Sequence, residues 1–195
     1  MPDQDSLSTR GRALEEEYFR KRDRELIEKM RRAADAEKAR GELGRKTGLD
    51  DPALLNELHE LGFTPDTVIL LPVLPVLEMA WAEGGITPAE RSLIVKFARS
   101  RGIAENSAAD DQLTQWMASR PDGVVFQGAR RLVAAMLASG STQEGGSLTP
   151  DDLVAYCEEI ASASGGIFGL RMGSISSEEK ALLSRIATDL KTRQG

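Results

Sequence analysis

The sequence predicts an all-α fold, and three observations lead to that prediction. No stretch shows sustained alternation of apolar and polar residues, or an Asn-Gly or Asp-Gly turn between β-branched runs, as hairpins require. Helix-starting and helix-ending residues recur along most of the chain. The apolar residues between them follow helical spacing and are mainly aliphatic, since only 5% of the residues are aromatic. At 195 residues, the chain is long enough to bury its own core.

The first predicted element is a long charged helix over residues 11–48, preceded by a disordered segment of residues 1–10. Residues 1–49 hold 13 Lys or Arg and 11 Asp or Glu, a net charge of +2, whereas the rest of the chain carries −8. A thin apolar stripe with heptad-like spacing follows this helix. It consists of Tyr18, Phe19, Leu26, Ile27, Met30, Ala33 and Ala34.

The stripe covers about two heptads, which is fewer than a convincing coiled coil needs. Three interpretations of the helix therefore stay open. It is a solvated helix laid across the domain, an arm for self-association or partner binding, or a membrane-surface helix. The mixed charges disfavour the third, because such helices carry basic residues on one face.

Residues 49–195 are predicted to form one helical domain, whose helices are placed by their first and last residues. Helices are predicted to begin near residues 52, 65, 88, 108, 123, 150 and 177. At each of these positions the sequence has Asp or Thr followed by Pro, or a Ser or Asp without a following Pro, as is typical of helix starts. Gly62 and Gly102 end two of them. The apolar run Val68–Ala82 contains Glu78 and is interrupted by Pro72 and Pro75. It is too short for a bilayer span of about 20 residues, so we expect a kinked or restarted core helix.

Two parts of this domain share one pattern of helix, glycine turn and capped helix. Residues 79–91 form the first copy, and residues 160–180 form the second, with an insertion at residues 167–174. Two such hairpins packed face to face would bury each other's apolar sides. The repeat therefore predicts a compact domain built from two pseudo-repeated helical hairpins.

The segment AWAEGGITPAER, residues 80–91, resembles the TerB-like family, which includes tellurite-resistance TerB and a related helical domain beside some DnaJ proteins. The likeness spans about residues 65–190. It implies an all-helical fold with repeated hairpins, a role in stress response or membrane-proximal complexes, and a divalent-metal site. In that site Glu83 takes the place of the motif's aspartate and Glu90 that of its glutamate. Glu83 is longer than aspartate, and the second copy has Ser164 at this position.

The residues alone also single out Glu83 and Glu90. The glycine turn between them matches part of an EF-hand loop, but two side chains supply too few oxygens for Ca²⁺, which takes 6–8. A purely structural interpretation stands beside this one. Thr87 and Glu90 have the spacing of a capping box, which Ser176 and Glu179 repeat. The cofactor prediction is accordingly a weakly held Ca or Mg ion, or no cofactor.

Composition excludes several function classes. A net charge of −6 argues against nucleic-acid binding, which needs a basic surface. A single cysteine, Cys157, excludes an internal disulfide, and a single histidine, His59, excludes two-histidine metal motifs. We expect a buried core thiol and a surface or half-buried histidine without a ligand role. The polar N-terminus shows neither an export signal nor a lipidation motif, and the most apolar run of the sequence is too short to span a bilayer. The expected location is therefore the cytoplasm.

The function predicted from these observations is a non-catalytic domain that works through a protein partner. One candidate surface is the N-terminal helix, through which the chain would also form homo-oligomers. The alternative function is a divalent-cation-responsive module using Glu83 and Glu90. An enzyme is least favoured, since only paired carboxylates remain as acid or base candidates. The apolar residues of the insertion, Ile167, Phe168, Leu170 and Met172, either fold down on the domain as a plug or, if they stay exposed, form the other candidate surface.

Overall fold

The computed structural model describes residues 4–139, 148–164 and 176–191, with side-chain burial described from residue 15 onward. The regular structure in these ranges is entirely helical, which confirms the all-α prediction. In chain order the elements are α1 (Gln4–Thr47), α2 (Pro52–Glu60), a 3₁₀ helix η1 (Val68–Val73), α3 (Leu74–Ala80), α4 (Pro88–Ser100), α5 (Ala108–Ala118), α6 (Gly123–Ala138), α7 (Pro150–Ser164) and α8 (Ser177–Lys191).

The chain divides into two compact units, Met1–Gly41 and Glu42–Gly195, of which we call the second the helical unit. The last turn of α1 belongs to the helical unit, because Leu43 and Thr47 are fully buried there. Thr47 Oγ1 also donates a hydrogen bond to the Leu43 carbonyl at 2.7 Å. This division lies before the boundary at residue 48 that the sequence suggests, and α1 begins at Gln4, inside the segment expected to be disordered.

Four helices begin at the residues that the sequence singles out, whereas the helix expected near residue 65 does not, since η1 begins at Val68. Asp51, Thr87, Ser107 and Asp122 each accept a hydrogen bond from a backbone N–H in the first turn of the helix that follows. After two of these helices the chain turns at a glycine with positive φ. These are Gly62 after α2 and Gly102 after α4.

The apolar run restarts at Pro75, as predicted, whereas Pro72 lies inside η1. Residues 68–73 form η1, and Pro75 lies in the first turn of α3, where its missing N–H breaks no helical hydrogen bond. All seven residues of α3 are buried. None of the described helices is long and apolar enough to span a bilayer.

Helix α3 lies at the centre of the core of the helical unit. It packs most extensively on α7 and also contacts α4, α6 and α8. The two predicted hairpins are therefore α3 with α4 and α7 with α8, and they share one core. This arrangement brings the start of α4 and the start of α8 into the same structural unit.

Candidate functional site

Glu90 closes a capping box at the start of α4. Its Oε2 accepts a hydrogen bond from the Thr87 N–H at 2.7 Å, while the Glu90 N–H donates to Thr87 Oγ1 at 3.2 Å. Glu90 is buried, with 2% of its surface exposed. Glu83, by contrast, is exposed in the glycine turn. The structure thus confirms the capping interpretation of Glu90.

The start of α8 repeats this geometry. Glu179 Oε2 accepts from the Ser176 N–H at 2.8 Å, and the Glu179 N–H donates to Ser176 Oγ at 3.2 Å. Glu179 is also buried, at 1% exposure. The two copies of the sequence repeat therefore use one local device, with a buried glutamate at the third position of each helix.

The capping box at the start of α8 also acts electrostatically on the capping box at the start of α4. Burial raises the pKa of Glu90, since the charged carboxylate loses hydration. The hydrogen bonds from Thr87 lower the pKa, whereas the negative charges of Glu179 and Glu83 raise it further. The net direction is upward. The carboxylates of Glu179 and Glu83 consequently both lie within electrostatic reach of Glu90.

This proximity does not amount to a preformed metal site. Among the described residues, no group of three or more His, Cys, Asp or Glu side chains has a geometry that could hold a metal ion. Glu90 also uses one carboxylate oxygen for the Thr87 amide. The metal site expected at Glu83 and Glu90 stays a prediction that rests on two side chains.

A buried ion network elsewhere in the helical unit escaped the sequence analysis. Arg130 on α6 donates from Nη1 to Glu78 Oε1 on α3 at 2.6 Å, and from Nε to Asp189 Oδ2 on α8 at 2.7 Å. Burial lowers the pKa of Arg130, but its hydrogen bonds to both carboxylates outweigh that effect and the pKa is raised. The sequence contained one signal for this network, which is the position of Glu78 inside the most apolar run. A buried charge requires a partner of opposite charge.

The remaining candidate residues lie as follows. Cys157 is fully buried in the core, and burial raises the pKa of its thiol, so it is a core residue as expected. His59 is exposed on α2, also as expected. Trp81 is half-buried and donates from Nε1 to the Trp116 carbonyl at 3.0 Å. The insertion residues Ile167, Phe168, Leu170 and Met172 lie outside the described residues.

The apolar stripe of α1 is exposed to solvent. Polar neighbours on this helix are joined by local contacts, such as the 2.9 Å ion pair between Arg20 and Glu16. No residue between 15 and 35 is buried. The exposed fractions are 56% for Tyr18, 61% for Phe19, 55% for Leu26, 49% for Ile27 and 64% for Met30.

Comparison with known proteins adds no relative from which a function could be carried over. No protein-family model, curated protein sequence or solved structure matches the chain. The TerB-like resemblance of residues 80–91 is accordingly neither supported nor contradicted.

Proposed function

We propose that this protein is a non-catalytic helical interaction domain and that α1 binds its protein partner through the apolar stripe. The observation that carries the proposal is the solvent exposure of five large apolar side chains on one helix. In keeping with the resemblance of residues 80–91, we place the domain in the TerB-like class, acting in the cytoplasm in a stress-related process.

The physical reason is the cost of leaving this stripe in water. Fully burying a side chain such as Leu, Phe or Met stabilises a protein by about 1.5–3 kcal/mol relative to exposure. Contiguous apolar surface on a soluble protein commonly marks a contact site. Local ion pairs such as Arg20–Glu16 contribute little to stability because both partners are exposed. A partner helix, including α1 of a second copy, would bury the stripe.

The test compares two triple variants of the full chain. Phe19→Ser, Leu26→Ser and Met30→Ser remove the stripe, whereas Lys21→Ser, Glu28→Ser and Asp35→Ser change residues with heptad spacing on the opposite face of α1. Pull-down experiments should recover a partner with the wild type and the control but not with the stripe variant. Sedimentation velocity on the same three proteins shows whether the partner is a second copy. Equal recovery and equal sedimentation for all three would contradict the proposal.

The second candidate function is a weak response to divalent cations at Glu83 and Glu90. It is favoured by one observation: burial raises the pKa of Glu90, and the negative charges of Glu179 and Glu83 raise it further. A cation would relieve this repulsion, and carboxylate oxygens are suitable ligands for Ca²⁺ and Mg²⁺.

Calorimetric titration with Ca²⁺, Mg²⁺ and Mn²⁺ tests this second function. The wild type should release or take up heat and melt at higher temperature, since an ion that binds only the folded state stabilises it. Glu83→Gln should abolish both effects, whereas Glu178→Gln, an exposed neighbour of the second capping box, should leave them intact. If millimolar ion produced neither heat nor a change in melting temperature, the metal hypothesis would be wrong.

A further inference from the structure

The helical unit contains a half-open cavity that neither proposed function uses. Its volume is about 540 Å³, within the range of 300–1,000 Å³ that is usual for small-molecule sites. Its walls come from the last turn of α1, the start of η1 and the loop that leads into α5. All of its lining residues belong to the helical unit, so the cavity is independent of the stripe on α1.

The floor of the cavity is apolar. Val68, Ile103 and Ala109 line it and are each buried, with 1–2% of their surface exposed. Ile69, which is half-buried, extends this apolar surface beside Val68. A ligand that reaches the floor would exchange contact with water for contact with aliphatic side chains, which is favourable for an alkyl or aromatic group.

The rim of the cavity is charged, with two cations against one carboxylate. Arg45 and Lys46, both exposed, lie on one side, and Asp66 is the acidic residue of the lining. Arg45 Nη2 lies 3.9 Å from Glu42 Oε1, which is long for an ion pair. Within the part of the chain that the structure describes, neither Lys46 nor Asp66 forms an ion pair. The net charge of the rim favours an anionic group.

The start of α5 does not itself supply the anion site. Ser107, which also lines the cavity, already accepts the Asp110 N–H at its Oγ, at 3.2 Å. The first turn of this helix carries Asp110 and Asp111, whose charges oppose an added anion. The attraction for an anion therefore comes from Arg45 and Lys46.

The wall between α4 and α5 is held in place by side chains behind it. Arg99 Nη1 donates to the Ile103 carbonyl at 2.9 Å, and Arg99 Nη2 lies 2.8 Å from Asp110 Oδ1. Asp110 Oδ2 accepts the N–H of Asn106 at 2.9 Å, where the chain turns with φ of 58°. A wall fixed in this way is formed before a ligand arrives, which lowers the entropic cost of binding.

From this combination of apolar floor, cationic rim and fixed wall, we propose that the cavity binds a small amphipathic anion. The ligand is a carboxylate that carries a short alkyl or aromatic group. The apolar group occupies the floor over Val68, Ile103 and Ala109, and the carboxylate lies between Arg45 and Lys46. Asp66 disfavours a second negative charge, so the site favours monoanions.

The first arm of the test measures how the charge of the rim affects ligand affinity. The probes are octanoate and its neutral analogue octanol, and their affinities are measured by NMR chemical-shift titration. Octanoate should bind about fivefold more tightly than octanol, a difference in the range that exposed charge pairs produce. Combined Arg45→Gln and Lys46→Gln should remove this preference. The matched pair Arg31→Gln and Arg32→Gln, also adjacent and exposed on α1, should retain it.

Asp66→Asn provides a change of opposite sign in the same titration. Removing this carboxylate should tighten octanoate binding by about twofold, as expected for one exposed charge, and leave octanol binding unchanged. A merely structural effect of either substitution would alter the affinity for both probes in the same direction. Melting temperatures of all variants verify that the fold is retained.

The second arm measures whether binding is lost when a bulky side chain fills the cavity. Ala108→Trp places an indole at an exposed lining position in the first turn of α5, whereas Ala118→Trp makes the same change at the exposed end of that helix, away from the cavity. The first should abolish binding of both probes, and the second should leave both affinities unchanged. Equal affinity for octanoate and octanol, or shifts confined to residues outside 45–46, 66–69 and 102–109, would overturn the proposal.

Discussion

The first part of α1 and the helical unit show opposite relations between residue type and burial. Between residues 15 and 35, large apolar side chains such as Phe19 and Met30 are 61% and 64% exposed. In the helical unit, the charged residues Glu78, Glu90 and Arg130 are at most 8% exposed. Polarity is thus a poor guide to position in both regions.

The difference shows that neighbouring helices, and not the residues of one helix, decide what is buried. Helix α3 is surrounded by α4, α6, α7 and α8, so even Glu78 is enclosed and must be neutralised by Arg130. A single helix has no second surface against which to pack, so its apolar residues stay in water unless a partner covers them. The comparison predicts which substitutions will change the free energy of unfolding and which will not.

The largest effect is expected from Arg130→Met. The substitution leaves the Glu78 carboxylate buried without its cation, which should lower the free energy of unfolding by about 3–5 kcal/mol. Urea denaturation measures this change. Arg32→Met on α1 is the control, since its ion pair with Glu28 at 3.6 Å is exposed and should matter by less than about 0.5 kcal/mol.

A double variant, Glu78→Leu with Arg130→Met, sharpens this result. Replacing a buried pair by apolar side chains is often neutral, so most of the lost stability should return. The remaining partner, Asp189, has a side chain that is 38% exposed and can be hydrated. If the double variant were no more stable than Arg130→Met alone, the loss could not be attributed to an unpaired buried charge.

The second prediction compares two leucines of the same helix. Leu43→Ala should cost about 2–5 kcal/mol, because Leu43 is fully buried in the last turn of α1. Leu26→Ala should change the free energy of unfolding by less than about 0.5 kcal/mol, since Leu26 is 55% exposed. Thermal and urea unfolding of both variants provide the measurement, and similar losses would contradict the exposure of the stripe.

The third prediction concerns the two capping boxes. Thr87→Ala and Ser176→Ala should each lower the free energy of unfolding by about 1 kcal/mol, because each removes the acceptor of a first-turn N–H. Thr114→Ala, at an exposed position within α5, controls for loss of a side-chain hydroxyl. A loss at one cap alone would show that the repeat is not energetically equivalent in its two copies.

The smallest effect is a pH dependence at Glu90. Its pKa in the folded protein is raised above the ordinary value of 4.5, so the protonated form is favoured by folding. That stabilisation is fully present below about pH 4.5 and is lost as the pH rises through the folded pKa. Glu90→Gln keeps an oxygen for the Thr87 amide but does not titrate. Its stability relative to the wild type should therefore increase between pH 4.5 and pH 7, and parallel curves would contradict this.

Local features of the fold followed directly from the sequence. The start of α4 at Thr87 and Pro88 and the restart of the apolar run at Pro75 depend on backbone geometry within a few residues. The capping role of Glu90 was predictable for the same reason, since its partner lies three residues away. Such features need no knowledge of the rest of the molecule.

The site-level features that the sequence missed all involve distant partners. Glu78 and Arg130 are 52 residues apart, and Asp189 lies a further 59 residues along the chain. The 540 Å³ cavity likewise joins Arg45 to Ala109, which no spacing rule connects. A composition pattern cannot pair such residues, because their proximity depends on how α1, η1, α3, α5, α6 and α8 pack.

The sequence by itself determined that the chain is helical, where α2, α4, α5 and α6 begin, and which two segments repeat. Helix propensity and capping are local, so a few neighbouring residues are sufficient to specify them. Only the tertiary structure decided that Glu78 is neutralised, that the two buried capping glutamates influence each other, and that the stripe from Tyr18 to Met30 lies in water. Burial and electrostatic pairing depend on which helix faces are in contact, and that is a property of the packed molecule.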